Sequence, residues 1–319
     1  MFMGRGEKKI LRYNMKYSTL ALILSLLMLI VFISAKDQEH TPVIFVHGLT
    51  GYANRFDFVR ERLEKQKPGI ITESIAFYEG PASIFHSLDQ ELELVKAEIE
   101  KVKREKNITK HHLVCHSMGA LLCRAYLMRY DHSVVNYIST SGMQMGQYGL
   151  TGKFEKFAPA ILTHMTRDNV YLFIYEDYIQ DYFSVAGFWK DPIRSHYEAY
   201  LKKCKFLPLY NGDIYNPQAE QWKQNFLKIN KFIASGCTTD EILQPQLSSI
   251  FSFYALTDSA ENLIVQDYTH QNVYKNDTFG LKTMLDQGRA TLTAVQGCLH
   301  DDWYSNGELF DQYVAKYLD

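Results

Sequence analysis

Apolar residues cluster in two ways along this chain, as short solid runs and as spaced positions on longer polar stretches. Pro42–Val46 (PVIFV), His111–Cys115 (HHLVC) and Val134–Thr140 (VVNYIST) are solid runs and read as buried strands. Gly69–Phe77 (GIITESIAF), Lys231–Ser235 (KFIAS) and Ala290–Val295 (ATLTAV) extend the set. Between Ile84 and Val102 the apolar positions are Ile84, Leu88, Leu92, Val95, Ile99 and Val102, with Lys and Glu opposite. That spacing predicts an amphipathic helix. Asp57–Gln66, Gly119–Tyr130, Gly280–Gln287 and Glu308–Leu318 read as further helices. The resulting βαβαβ order predicts an α/β fold with a mostly parallel sheet and helices on both faces. Residues 150–225 break the rhythm, being rich in Phe, Tyr, Lys and Asp without a clear period. A stretch of that length is too long for a bare loop. It is expected to be an inserted helical cap within a single domain spanning residues 41–319.

The start of the chain follows another logic. Arg5, Lys8, Lys9, Arg12 and Lys16 precede the uninterrupted apolar run Thr19–Ile33, and Ser34 and Ala35 come before Lys36 and Asp37. Residues 1–35 therefore read as a secretory signal peptide or, if retained, a signal-anchor. The whole chain has 34 Lys+Arg and 36 Asp+Glu, so it carries no basic footprint for nucleic acid. Without residues 1–35, 29 basic residues face 35 acidic ones. The secretory route permits disulfides among Cys115, Cys123, Cys204, Cys237 and Cys298, and the odd count leaves at least one thiol over. Cys237 and Cys298 could bridge if the segments after them meet. Asn107-Ile108-Thr109 and Asn276-Asp277-Thr278 are candidate glycosylation sites in polar turns. No Cys/His spacing of a zinc finger occurs, so neither a structural metal nor a cofactor is expected. The sequence leaves the oligomeric state open.

The chemistry gathers in HLVCHSMGALLCRAYL, where a strand turns sharply into a helix. Ser117 stands at the turn in Cys115-His116-Ser117-Met118-Gly119, the nucleophile elbow G-x-S-x-G of α/β-hydrolases with Cys in place of the first Gly. A serine hydroxyl is a poor nucleophile near neutral pH and needs a base, itself oriented by a carboxylate. In α/β-hydrolases these follow in the order Ser, Asp or Glu, His. His300, after the last strand, is the candidate base. Asp240, after KFIAS, is the candidate carboxylate, with Glu241 and Asp258 as competitors. The oxyanion hole is expected from the backbone N–H groups of Leu49, after the first strand, and Met118. His47 is expected to shape its loop, and His116 to point away from the serine.

The segment CHSMGALLCRAYL followed by VVNYISTSGMQMGQYG resembles the palmitoyl-protein thioesterase family. The resemblance continues through LPLYNGDIYNPQAEQWKQNFLKINKF, SSIFSFYA, FGLKTMLDQGRA and HDDWYSN. It implies Ser117 as nucleophile, Asp240 as carboxylate, His300 as base and a disulfide between Cys115 and Cys123. It also implies a lysosomal, glycosylated enzyme that hydrolyses long-chain acyl thioesters such as palmitoyl-CoA or S-palmitoylated proteins, with membrane association expected only through that acyl substrate or an uncleaved signal segment. HGLTGYANRF keeps the family's His-Gly and departs from it afterwards. The aromatic-rich cap and Met143–Tyr148 are the expected walls of an acyl groove. Two other readings stay open: a carboxylester lipase or esterase using the same triad, and a non-catalytic lipid-binding protein.

Overall fold

Six strands, β1 (Val43–Val46), β2 (Thr72–Ile75), β3 (His111–His116), β4 (Val134–Thr140), β5 (Lys231–Cys237) and β8 (Ala290–Val295), build one sheet in the order β2-β1-β3-β4-β5-β8. Every neighbouring pair is parallel. This computed structural model describes residues 40–149 and 169–319. The expected signal segment and residues 150–168 of the expected cap lie outside the described residues. Among the described residues, no helix is long and apolar enough to cross a membrane.

The sheet has a hydrophobic core on each side, as an α/β arrangement requires. Successive strand residues point to opposite faces. Val43 and Phe45 therefore join Val114, Ile138 and Ile233 against the helices Asp57–Gln66 and Gly307–Tyr313. Ile44 and Val46 join Leu113, Tyr137 and Phe232 on the other face. There the helices Leu88–Glu105 and Met118–Arg129 cover the sheet. The central strands β1 and β3 are buried along their whole length, which is why they read as solid apolar runs.

Between β4 and β5 the described chain forms six helices, Tyr171–Ile174, Asp177–Tyr182, Ser184–Phe188, Arg194–Lys203, Leu207–Asn211 and Ala219–Phe226. They are short, which is why no period shows. The region after β5 adds a two-stranded antiparallel ribbon, β6 (Phe253–Tyr254) with β7 (Val265–Gln266), too brief to read as strands. The expected strand Gly69–Phe77 is realised only over Thr72–Ile75, the part that pairs with β1. The helix expected from Ile84 starts at Leu88, where Ser87 and Gln90 form a capping box; Ile84 ends the preceding turn of 3₁₀-helix, Gly80–Ile84. Two disulfides form, Cys115–Cys123 and Cys237–Cys298, with Cα–Cα distances of 6.7 and 5.2 Å. Cys204 is a buried free thiol.

Candidate active site

The carboxyl ends of β3, β5 and β8 deliver the three candidate side chains to one rim of the sheet, where open α/β sheets place their ligands. Ser117 links β3 to the helix Met118–Arg129 with φ 55° and ψ −127°. Few non-glycine residues tolerate such a backbone, and surrounding contacts must hold it. Ser117 N–H donates to the Thr140 carbonyl at 3.1 Å, and the Ser117 carbonyl accepts from Ala120 and Met143. The close turn leaves no room for side chains beside it. A Cβ on Gly119 would lie 2.0 Å from the His47 carbonyl oxygen, and one on Gly48 would lie 2.6 Å from the Ser117 Cβ. Glycine is therefore needed at both positions. Cys115 fits the elbow position usually held by glycine because its sulfur turns to Cys123 on the helix.

Asp240 and His300 meet directly. His300 Nδ1 donates to Asp240 Oδ2 at 2.7 Å, and Asp240 Oδ1 accepts from Ile242 and Leu243 N–H, both at 2.9 Å. The two loops are stapled by Cys237–Cys298 and by Thr239 Oγ1 donating to the Cys298 carbonyl at 2.7 Å. The ring of His116, which precedes Ser117 in the chain, lies 4.7 Å from that of His300. All three candidates are buried: Ser117 is 5%, Asp240 2% and His300 4% exposed.

The electrostatics follow from this burial. Burial pulls the His300 imidazole down, but the Asp240 carboxylate outweighs it by charge and hydrogen bond, so the pKa stands above its ordinary value. Burial pushes Asp240 up, while His300 and the Leu243 and Ile242 N–H groups hold it lower, and the net shift is downward. His116 is driven well down, first by burial and then by the charges of His300 and Arg55. The pair is arranged so that Asp240 fixes the Nδ1–H tautomer of His300, leaving Nε2 as a lone pair for proton transfer.

The other candidates take separate places. Met118 opens the helix after the elbow, where first-turn N–H groups lack intrahelical acceptors and the helix dipole is positive. Leu49 follows Gly48, which is pressed against Ser117. His47 is buried, stacks on Phe77 at 4.2 Å and bonds the Gly48 carbonyl through Nδ1, holding the loop. Asp258 is exposed and pairs with Arg194 at 3.0 Å, away from His300. Glu241 accepts from the His300 backbone N–H at 3.0 Å, an anchoring role that its sequence position beside Asp240 did not reveal. Trp303 Nε1 donates to Ser141 Oγ at 2.9 Å and ties the segment after His300 to the end of β4. Met143, Met145 and Tyr148 are buried, and Tyr148 packs on Trp189 of the cap. Asn107 and Asn276 are both exposed, Asn107 in a turn with φ 53°.

The family match and the sequence relatives agree with each other. Residues 42–300 match the family described as palmitoyl protein thioesterase. Lysosomal thioesterase PPT2 of Rattus norvegicus is 33% identical over 281 residues, 88% of this chain and 88% of that protein. Lysosomal thioesterase PPT2-B of Xenopus laevis is 31% identical over 296 residues, 92% and 98% of the two chains. Among solved structures, the monoacylglycerol lipase of Paleococcus ferrophilus is similar over 87% of this chain and 95% of that one, with a TM-score of 0.45 and 14% identity.

Proposed function

The chain belongs to the palmitoyl protein thioesterase family and is a thioester hydrolase, and from that premise we propose that it cleaves long-chain fatty acyl thioesters with Ser117, His300 and Asp240. The observation that carries the reading is the 2.7 Å bond from His300 to Asp240, made beside a strained serine turn. In the first half-reaction Ser117 Oγ attacks the thioester carbonyl carbon while its proton passes to His300 Nε2. The N–H groups of Leu49 and Met118 hold the oxyanion. The carbon–sulfur bond then breaks, and His300 returns the proton to the departing sulfur. In the second half-reaction water attacks the acyl-serine, gives its proton to His300, and the fatty acid leaves as Ser117 regains its hydrogen.

A thiolate leaves readily, so the demand on His300 as an acid is modest. Chain-length preference comes from burial of methylenes, each worth about 0.8 kcal/mol. Met143 and the cap aromatics are the walls we assign to that groove, with residues 150–225 as the cap. Both named relatives are lysosomal thioesterases, and a signal segment at residues 1–35 with glycans at Asn107 and Asn276 suits the same destination.

The test is turnover of palmitoyl-CoA by Ser117→Ala, beside turnover of a matched oxygen ester by the unaltered chain. Loss of at least about 10³-fold in the variant is expected, since the serine and its base act as a unit. Full activity in the variant removes Ser117 as nucleophile. Preference for the oxygen ester moves the protein to the esterases.

A further inference from the structure

Folding brings three metal-binding side chains together at the rim, although their spacing in sequence carries no metal motif. The rings of His116 and His300 meet with centroids 4.7 Å apart and planes at 63°. Asp301 Oδ1 lies 3.9 Å from His116 Nε2. One ligating atom from each of His116, His300 and Asp301 lies within 4.8 Å of the other two.

The hydrogen bonds around them set the protonation of both rings. Thr140 Oγ1 donates to the Cys115 carbonyl at 3.4 Å, so it accepts from His116 Nδ1–H at 3.2 Å. His116 Nε2 is then a bare lone pair; it is buried and has no hydrogen-bond partner among the described residues. His300 is oriented the same way, with Nδ1–H bound to Asp240 and Nε2 bare. An imidazole whose other nitrogen is bound to an oxygen acceptor is the usual metal-ligating form. The second oxygen of Asp301 is bound by Arg55 Nη1 at 3.4 Å, an outer partner for the carboxylate. Two imidazole nitrogens and one carboxylate oxygen are a donor set for ions of the zinc class.

We propose that His116, His300 and Asp301 bind one divalent ion of the zinc class, and that the bound ion inhibits hydrolysis by occupying His300 Nε2. The inhibitory half rests on His300 being the base, whereas the binding half stands without it. Zinc–ligand bonds of about 2.0–2.1 Å put ligating atoms roughly 3.3 Å apart. The three groups must therefore draw in by on the order of 1 Å. Asp301, with 61% of its side chain exposed, is placed to supply that movement.

The test is calorimetric titration of ZnCl₂ into the full chain stripped of metal by a chelator, with Ser117→Ala, His116→Phe and Asp301→Asn alongside. The unaltered chain and Ser117→Ala are expected to bind one equivalent with equal affinity. His116→Phe and Asp301→Asn each lose more than the roughly 10–100-fold that removal of an outer-shell partner costs. Asp301 is exposed, so its variant answers even if His116→Phe fails to fold. Zinc should abolish palmitoyl-CoA turnover over the same concentration range in which it binds. Absence of saturable binding, or binding equal in all four proteins, overturns the site. Binding lost in both ligand variants without any effect of zinc on turnover overturns the inhibition. Turnover of the metal-free chain separately decides whether the hydrolase reading holds.

Discussion

Two helices lie side by side on one face of the sheet, and each buries one side chain of the acidic or basic kind, but they treat it in opposite ways. In Met118–Arg129, Arg124 is fully buried. Its Nη2 donates to the Gln144 carbonyl at 3.0 Å and to Asn211 Oδ1 at 2.7 Å, and Nη1 donates to the Tyr210 carbonyl at 3.4 Å. The guanidinium also sits over the rings of Phe279 and Phe251, at 5.0 and 5.7 Å. Burial lowers its pKa only to about 10, so it stays charged near neutrality. In Leu88–Glu105, Glu91 is equally buried, yet neither carboxylate oxygen has a hydrogen-bond partner among the described residues. The first helix spends its buried charge as a clamp between the elbow, the loop after β4 and the cap. The second carries a carboxyl that the fold tolerates only in its neutral form.

The largest expected effects fall on the helix that carries the nucleophile. Gly119→Ala drives a methyl group into the His47 carbonyl at 2.0 Å, and a backbone atom cannot turn aside as a side chain would. A loss of more than about 3 kcal/mol is expected, measured by urea unfolding, together with a fall in turnover because the same carbonyl precedes the Gly48 loop. Arg124→Met comes next. It keeps the length and apolar stem but leaves three buried acceptors without donors, at a cost of about 3 kcal/mol. Unchanged unfolding of this variant would mean that the clamp contributes nothing.

The same contrast explains what could be read before folding. The helix Leu88–Glu105 has a solvent face, so its apolar positions show the period of 3.6 and its extent is legible within a turn. Residues 118–128 are buried on every side and show no period; only the elbow motif before them marks a helix. The parallel sheet was legible because β1, β3 and β4 are solid apolar runs. The two-residue strands β6 and β7 were not, because their pairing depends on loops that pack on the folded body. At the site, the types and order of Ser117, Asp240 and His300 could be read, since chain order constrains them. The contact of His116 with His300 could not, and the pairing of Cys237 with Cys298, 61 residues apart, was legible only on the condition that their loops meet. Both depend on which way loops turn at the rim, which no local pattern records.

Glu91 sharpens the comparison through pH. Burial raises its pKa well above the ordinary 4.5. Below that value the carboxyl is neutral in both folded and unfolded chains and no proton-linked penalty exists. As pH rises through it, the unfolded chain ionises while the folded one is held neutral, so stability is lost with increasing pH until the raised folded pKa is passed. Glu91→Leu should therefore raise the melting temperature more at pH 7 than at pH 4. A gain at pH 7 of about 1–3 kcal/mol is expected. An equal gain at both values would show that Glu91 titrates alike in the folded and unfolded states.

The smallest effect belongs to the start of that same helix. Ser87 accepts from the Gln90 N–H through Oγ at 3.3 Å, and the Ser87 N–H donates to Gln90 Oε1 at 3.0 Å. Asp89 and Glu91 share this first turn, near the positive end of the helix dipole, and Asp89 also pairs with Arg129 at 3.5 Å. Ser87→Ala removes one acceptor from orphan N–H groups that water can still reach, so the loss is expected to be about 1 kcal/mol. Gln90→Ala should lose less, because the Ser87 Oγ bond survives it. Unfolding of the two variants and of the double variant tests whether the box is cooperative. A double loss equal to the sum of the single losses would reduce it to two independent bonds. Since the helix carries no candidate catalytic residue, turnover of the folded fraction should be unchanged in all three, in contrast with Gly119→Ala on its neighbour.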